Sequence, residues 1–331
     1  MGVSIDKTVA HGGDLGDVRR RHPDAQQPWI DLSTGINPLP YPVADLPAES
    51  WSRLPSHEAG QALIGAAATR YRCEPGQLVA APGTQALIQI LPRLAPRARV
   101  AIVGPTYAEH ELNWRRHGHD VAVVASLDAA DADVVVVVNP DNPTGRLLPP
   151  LALRGVAARL LIVDEAFIDL LPHDASLAGA LPNNAIVLRS FGKTYGLAGL
   201  RLGFAIAAVP LAARLREELG PWAVSGPALA IGTAALADDA WLRTAAARLV
   251  VDARNLDALL VLAGFTILGG TPLFRLASHP TAHEKVEDLA RQGIHVRAFD
   301  HQPTWLRFGL PRGDEGFRRL SAALQVPQKV R

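Results

Sequence analysis

One lysine stands apart in this sequence. Of its 33 basic residues only four are lysines, and Lys193 is the only one between positions 8 and 284. It sits in Arg189-Ser190-Phe191-Gly192-Lys193-Thr194-Tyr195-Gly196-Leu197-Ala198-Gly199-Leu200-Arg201, three residues after a serine and eight before an arginine. A lysine in a partly apolar, cation-flanked setting can have its pKa lowered enough to attack a carbonyl and form a Schiff base. A solvated surface lysine is the ordinary alternative. Flanking glycines, in a chain that otherwise avoids lysine, argue against it.

Three other segments carry chemistry of their own. Leu161-Ile162-Val163-Asp164-Glu165-Ala166-Phe167 ends an apolar run on an aspartate. A carboxylate there faces desolvation and wants a cationic partner, such as a protonated pyridine nitrogen, or strong donors; a plain helix cap competes. Val138-Asn139-Pro140-Asp141-Asn142-Pro143-Thr144-Gly145 follows a valine run. Its two prolines and glycine force a rigid turn, which can aim the Asn142 amide at a ligand. Pro82-Gly83-Thr84-Gln85 opens a helical stretch, where free backbone N–H groups and a hydroxyl make a phosphate site. Thr84 as an ordinary N-cap is the equal alternative.

Together these residues supply what pyridoxal 5'-phosphate requires. Lys193 would take the aldehyde, Asp164 the ring nitrogen and Asn142 the ring hydroxyl. Gly83, Thr84, Ser190 and Arg201 would hold the phosphate, and Gln85 belongs to the same cofactor-binding set. Tyr107, in Gly104-Pro105-Thr106-Tyr107, is placed to stack on the ring. Lys193, Asp164 and Tyr107 are the catalytic candidates.

Other chemistries lose support. The sequence contains no Gly-x-Gly-x-x-Gly after a strand, no Walker loop, no His-Glu-x-x-His and no Gly-x-Ser-x-Gly. The single cysteine, Cys73, excludes an internal disulfide and a Cys-rich zinc site, and no metal is expected. A net charge of +1 argues against a nucleic-acid surface. No apolar run reaches the roughly 18–20 residues that span a bilayer, and no secretory signal is read at the start. A cytoplasmic enzyme is the expectation, and 48% hydrophobic with 20% charged residues is ordinary for one.

The elements that must position these groups follow from periodicity. Val100–Val103, Val121–Val124, Val134–Val138, Leu160–Val163, Ala185–Leu188 and Leu202–Ala207 are apolar runs separated by helical spacers. Such runs read as strands of a mainly parallel sheet, buried on both faces under helices. A helix is expected over 57–72 and long helices over 211–262. Short strands are expected at 273–276, 295–298 and 305–309. At 331 residues the chain suits about two domains. The reading is an N-terminal arm (1–50), a large α/β cofactor domain (51–220) and a smaller α+β domain (221–331).

The ordered set Gly-Thr-Gln, Pro-Thr-Tyr, Asn-Pro-x-Asn-Pro-Thr-Gly, Asp-Glu-Ala-Phe and Ser-Phe-Gly-Lys-x7-Arg resembles the fold-type I aminotransferase family over nearly the whole chain. Within it the sequence is most similar to the threonine-phosphate decarboxylase branch of cobalamin biosynthesis. The branch features are His11-Gly12-Gly13-Asp14, Asp31-Leu32-Ser33-Thr34-Gly35-Ile36-Asn37-Pro38-Leu39, Gly220-Pro221-Trp222, Thr271-Pro272-Leu273-Phe274 and Pro303-Thr304-Trp305-Leu306-Arg307. The resemblance implies decarboxylation of L-threonine O-3-phosphate to (R)-1-amino-2-propanol O-2-phosphate. It implies that Arg307 grips the substrate carboxylate, Arg297 lies near the substrate phosphate, and His11 and Asn37 reach the substrate from the arm. It also implies a homodimer. Phe167, Leu54 and Gly35 depart from the family: relatives often carry tyrosine at the first two places, and some decarboxylases carry asparagine at the third. A histidinol-phosphate type of aminotransferase is the near alternative, and a non-catalytic regulator or scaffold the distant one.

Overall fold

The structure is a computed structural model that describes residues 12–326. His11 lies outside the described residues. Strand β1 (Ile30–Leu32) follows a short helix, Gly16–Arg21. Then come β2 (Leu78–Ala81), β3 (Arg99–Val103), β4 (Asp120–Val124), β5 (Val134–Val138), β6 (Leu160–Asp164), β7 (Ala185–Ser190) and β8 (Gly203–Ala207). The last four are β9 (Thr266–Thr271), β10 (Phe274–Ser278), β11 (Ile294–Ala298) and β12 (Trp305–Gly309).

β2 to β8 form one sheet in the order β2-β8-β7-β6-β5-β3-β4. The pairs from β4 to β7 are parallel, while β8 runs antiparallel to both β7 and β2. Alternate residues of the central strands enter two different cores, as a period of two requires. Val135, Val137, Leu161 and Val163 pack with Leu63, Tyr71 and Leu229 from helices His57–Tyr71 and Gly226–Ala237. Val134, Val136, Leu160 and Ile162 pack with Leu87, Trp114 and Leu215 from helices on the other face. Each such side chain contributes about 1.5–3 kcal/mol when fully buried.

The chain divides into two compact units with boundaries other than those read from sequence. The larger unit is Ile36–Ala253 with Gly270–Leu273; the other holds the described residues up to Gly35, Arg254–Gly269 and those from Phe274 on. Residues 221–253 therefore belong with the large sheet. The physical reason is helix Gly226–Ala237, whose buried residues point to nearly every side and join the same core as helix His57–Tyr71. The arm also splits. Its first part supplies β1, paired in parallel with β11 in the smaller unit's sheet, ordered β1-β11-β12-β10-β9.

Candidate active site

The parallel strands deliver their motifs to one edge of the large sheet. β2 is reversed twice relative to β7, through β8, so its carboxyl end opens on the same edge and β8 begins there. Open parallel sheets bind ligands at this edge. All nine cofactor candidates, Gly83, Thr84, Gln85, Tyr107, Asn142, Asp164, Ser190, Lys193 and Arg201, line one cavity of about 180 Å³.

Asp164 ends β6 at 3% exposure. Its Oδ1 accepts from the Ala166 N–H at 3.1 Å, and Oδ2 lies 3.0 Å from His110 Nε2. His110 is wholly buried, and its Nδ1 has no partner within the protein. With Nε2 protonated, the ring donates to the carboxylate and holds it in place. Sequence reasoning missed His110. The available signal was its position three residues after Tyr107, at the start of helix Ala108–Arg116, the spacing that puts two side chains on one helix face.

Tyr107 is braced from behind. Its hydroxyl donates to Gln85 Oε1 at 3.1 Å, and Gln85 Nε2 donates to Glu109 Oε2 at 2.6 Å. Asn113 Nδ2 donates to the same carboxylate oxygen at 3.1 Å. Burial, then the nearby Glu109 and Asp164 carboxylates, push the Tyr107 phenol up to about 12, so it remains a donor. Gln85 therefore lines the cavity while its amide orients Tyr107. This network, too, was not visible in the sequence.

The turn after β5 is locked by its own side chains. Asn139 exchanges hydrogen bonds with the Leu148 backbone, at 3.1 and 2.7 Å, and Asp141 Oδ2 accepts from the Thr144 N–H at 3.2 Å. Asn142 is thereby set at the cavity wall. Behind Asp164 and Ser190 their strand neighbours form a buried ion cluster. Arg189 pairs with Glu165 at 3.2 Å and with Asp169. Burial opposes the Arg189 charge, but Asp169 and Glu165 outweigh it and its pKa lies above the ordinary value.

Gly83 opens the phosphate side. Its φ of +81° with ψ of 161° is a region essentially restricted to glycine. A Cβ there would stand 2.7 Å from Arg201 Nη2, so the guanidinium packs directly over bare backbone. Lys193 Nζ lies 5.7 Å from the Phe167 ring centroid. A buried carboxylate in the wall, a lysine in the same cavity and an open glycine–arginine cradle together fit a cationic aromatic ring bearing a phosphate. Among the described residues no group of three or more His, Cys, Asp and Glu side chains is placed to hold a metal ion.

The substrate candidates fall in different places. Asn37 is 2% exposed and its carboxamide is engaged with protein: Nδ2 donates to the Thr194 carbonyl at 2.9 Å, and Oδ1 accepts from Leu39 N–H and Arg248. It clamps the Lys193 turn. Arg297 and Arg307 are cross-strand partners on β11 and β12 of the smaller unit, so they share one sheet face. Arg307 is buried, donates to the Ser33 carbonyl at 2.6 Å and lies 5.3 Å from the Phe274 ring centroid. Burial, then the neighbouring Arg297 charge, lowers its pKa to about 10. Two guanidinium groups on one face suit a ligand with more than one anionic group.

Residues 48–320 match the family aminotransferase class I and II. The chain belongs to this family. It is 46% identical over 327 residues to a threonine-phosphate decarboxylase of Sinorhizobium sp., covering 96% of this chain and 97% of the relative. It is 41% identical to a Pseudomonas aeruginosa protein of the same name, at 96% and 97% coverage. Its fold is similar to histidinol-phosphate aminotransferase from Sinorhizobium meliloti in complex with pyridoxal-5'-phosphate, with a TM-score of 0.78, 21% identity and 94% of each chain covered. The aminotransferase family accounts for the α/β architecture and for strand ends that converge on one cavity.

Proposed function

We propose that this protein is a pyridoxal 5'-phosphate-dependent decarboxylase of L-threonine O-3-phosphate, giving CO2 and (R)-1-amino-2-propanol O-2-phosphate for cobalamin biosynthesis. The observation that carries this reading is near-full-length similarity, at 46% and 41%, to two threonine-phosphate decarboxylases. The cavity supplies a matching set of side chains.

Bound in the cavity, the cofactor supplies an electron sink for the bonds at an amino acid's Cα. The residues do the rest. Lys193 would be the residue that holds the cofactor through its amine and, once freed by the substrate amine, would serve as the acid that delivers a proton to Cα in place of the carboxylate lost as CO2. Asp164, oriented by His110, would keep the ring nitrogen protonated. Tyr107 would cover the ring, Asn142 would meet its hydroxyl, and Gly83, Thr84, Ser190 and Arg201 would hold the phosphate. Phe167 offers no hydroxyl where many aminotransferases have one, which favours the decarboxylase over the aminotransferase. Lys193 and Asp164 are both present, which disfavours a non-catalytic scaffold. Arg307 takes the substrate carboxylate, Arg297 lies near the substrate phosphate, and His11 reaches the substrate from the arm.

The protein acts as a cytoplasmic homodimer. Among the described residues no helix is long and apolar enough to cross a membrane. Trp51, Leu54 and Trp222 are 72%, 69% and 60% exposed on the larger unit. A groove of about 520 Å³ beside Ile64, Pro221 and Trp222 is largely apolar. Such a patch suits a two-fold contact with a second copy. The test of function is to incubate the holoenzyme with L-threonine O-3-phosphate and follow CO2 release alongside amino transfer to 2-oxoglutarate. CO2 with no transferred amino group is the expected result; transfer without CO2 would establish an aminotransferase instead. Lys193→Ala should abolish the release.

A further inference from the structure

The segment Asn37–Tyr41 runs beside the backbone that carries Lys193. The Asn37 N–H donates to the Lys193 carbonyl at 2.9 Å, and the Tyr41 N–H to the Tyr195 carbonyl at 2.8 Å. The Asn37 carboxamide adds its bond to the Thr194 carbonyl. Helix Phe191–Thr194 has only four residues, so its final carbonyls lack partners within the helix, and Asn37 supplies them. Gly196 makes the approach possible. Its φ is +68°, and a Cβ there would stand 2.7 Å from the Asn37 carbonyl oxygen.

A carboxamide can be seated either way round, with oxygen and nitrogen exchanged. Arg248, on helix Asp239–Leu262, decides which together with a backbone N–H. Its Nη2 donates to Asn37 Oδ1 at 2.8 Å, and the Leu39 N–H donates to the same oxygen at 3.0 Å. A guanidinium has no acceptor, so only the oxygen can face it, and the NH2 must then face the Thr194 carbonyl. Burial works against the Arg248 charge, while Asp252, one turn further along the helix, supports it.

We propose that Arg248 is a positioning residue of the active site: by fixing the Asn37 carboxamide it locks the backbone of Lys193, and with it the approach of the lysine amine. The inference rests on Lys193 being the lysine that carries the cofactor. Without Arg248 the carboxamide is held at its oxygen by the Leu39 N–H alone, the Thr194 carbonyl loses a fixed partner, and the turn that carries Lys193 loosens relative to Asp164 and Asn142. A displacement near 1 Å in a catalytic group costs up to about a hundredfold in rate.

Three variants of the holoenzyme test this. Arg248→Met removes the donor while keeping much of the stem's bulk, Arg248→Lys restores a single donor, and Asn37→Asp keeps an acceptor for Arg248 while deleting the donor to Thr194. The readouts are the pH midpoint of the visible band of the Lys193-bound cofactor, kcat and KM separately, and amide exchange of peptide 191–196 in cofactor-free protein. In Arg248→Met the midpoint should move by about half a unit or more, kcat should fall about tenfold with a smaller change in KM, and exchange should accelerate. Arg248→Lys should recover most of this, and Asn37→Asp should reproduce the loss. An Arg248→Met protein with the wild-type midpoint, kcat and exchange overturns the proposal, whatever its melting temperature. Should Lys193 not carry the cofactor, Lys193→Ala would keep the visible band, and the exchange measurement would still report on the clamp.

Discussion

Gly83→Ala tests the phosphate cradle through two separable effects. The backbone effect comes first: φ +81° with ψ 161° costs a residue other than glycine about 1–3 kcal/mol, with or without cofactor. The melting temperature of the cofactor-free protein should therefore drop by a few degrees. The second effect is local. The new Cβ would lie 2.7 Å from Arg201 Nη2. Ordinary contact near 3.5 Å requires the guanidinium to retreat by about 0.8 Å. That is enough to lose a charge-assisted hydrogen bond to phosphate, worth about 1.5–3 kcal/mol. Cofactor affinity should fall about 10- to 100-fold, read by absorbance titration of the cofactor-free protein. Unchanged affinity beside a lowered melting temperature would show that Arg201 over Gly83 does not hold the phosphate.

Three further outcomes are expected. Asp164→Ala should bind cofactor but lose about a thousandfold in rate, because the charge opposite the ring nitrogen is gone; steady-state assay at saturating cofactor decides, and a normal rate would reduce Asp164 to a helix cap. Arg307 loses its proton earlier than an ordinary arginine, near pH 10, and the charged form binds the carboxylate. Substrate affinity should thus be complete below about pH 10 and fall as pH rises through it, and in Arg307→Met the affinity should be low at every pH. Trp222→Glu combined with Leu54→Glu places charge on the exposed apolar patch and should convert the proposed dimer to monomers in sedimentation; a dimer that persists would move the contact elsewhere.

The residues proposed for the cofactor line one cavity, and they could be picked out in the sequence because they follow apolar runs, most with glycine or proline beside them. Val134–Val138 leads to Asn142, Leu160–Val163 to Asp164, and Ala185–Leu188 to Lys193. The supporting network was not legible. His110, Gln85 and Glu109 act through contacts made by helix packing, and their types carry no motif. The role of Asn37 was concealed for the same reason: its partners are 157 and 211 residues away. The unit boundary was missed because composition does not change at Ala253. It falls within the continuous helix Asp239–Leu262. β1 was missed because three residues between prolines and turn formers give no period to read.

The central claim is that the bond broken at Cα is the one to the carboxylate and that a proton takes its place. Its most direct test is turnover of L-threonine O-3-phosphate carrying deuterium at Cα, in ordinary water, with mass analysis of the amine product. The account predicts that the amine retains the substrate deuterium and gains one solvent hydrogen at the same carbon. Loss of the deuterium to solvent, with the carboxylate retained in a keto acid, would contradict it.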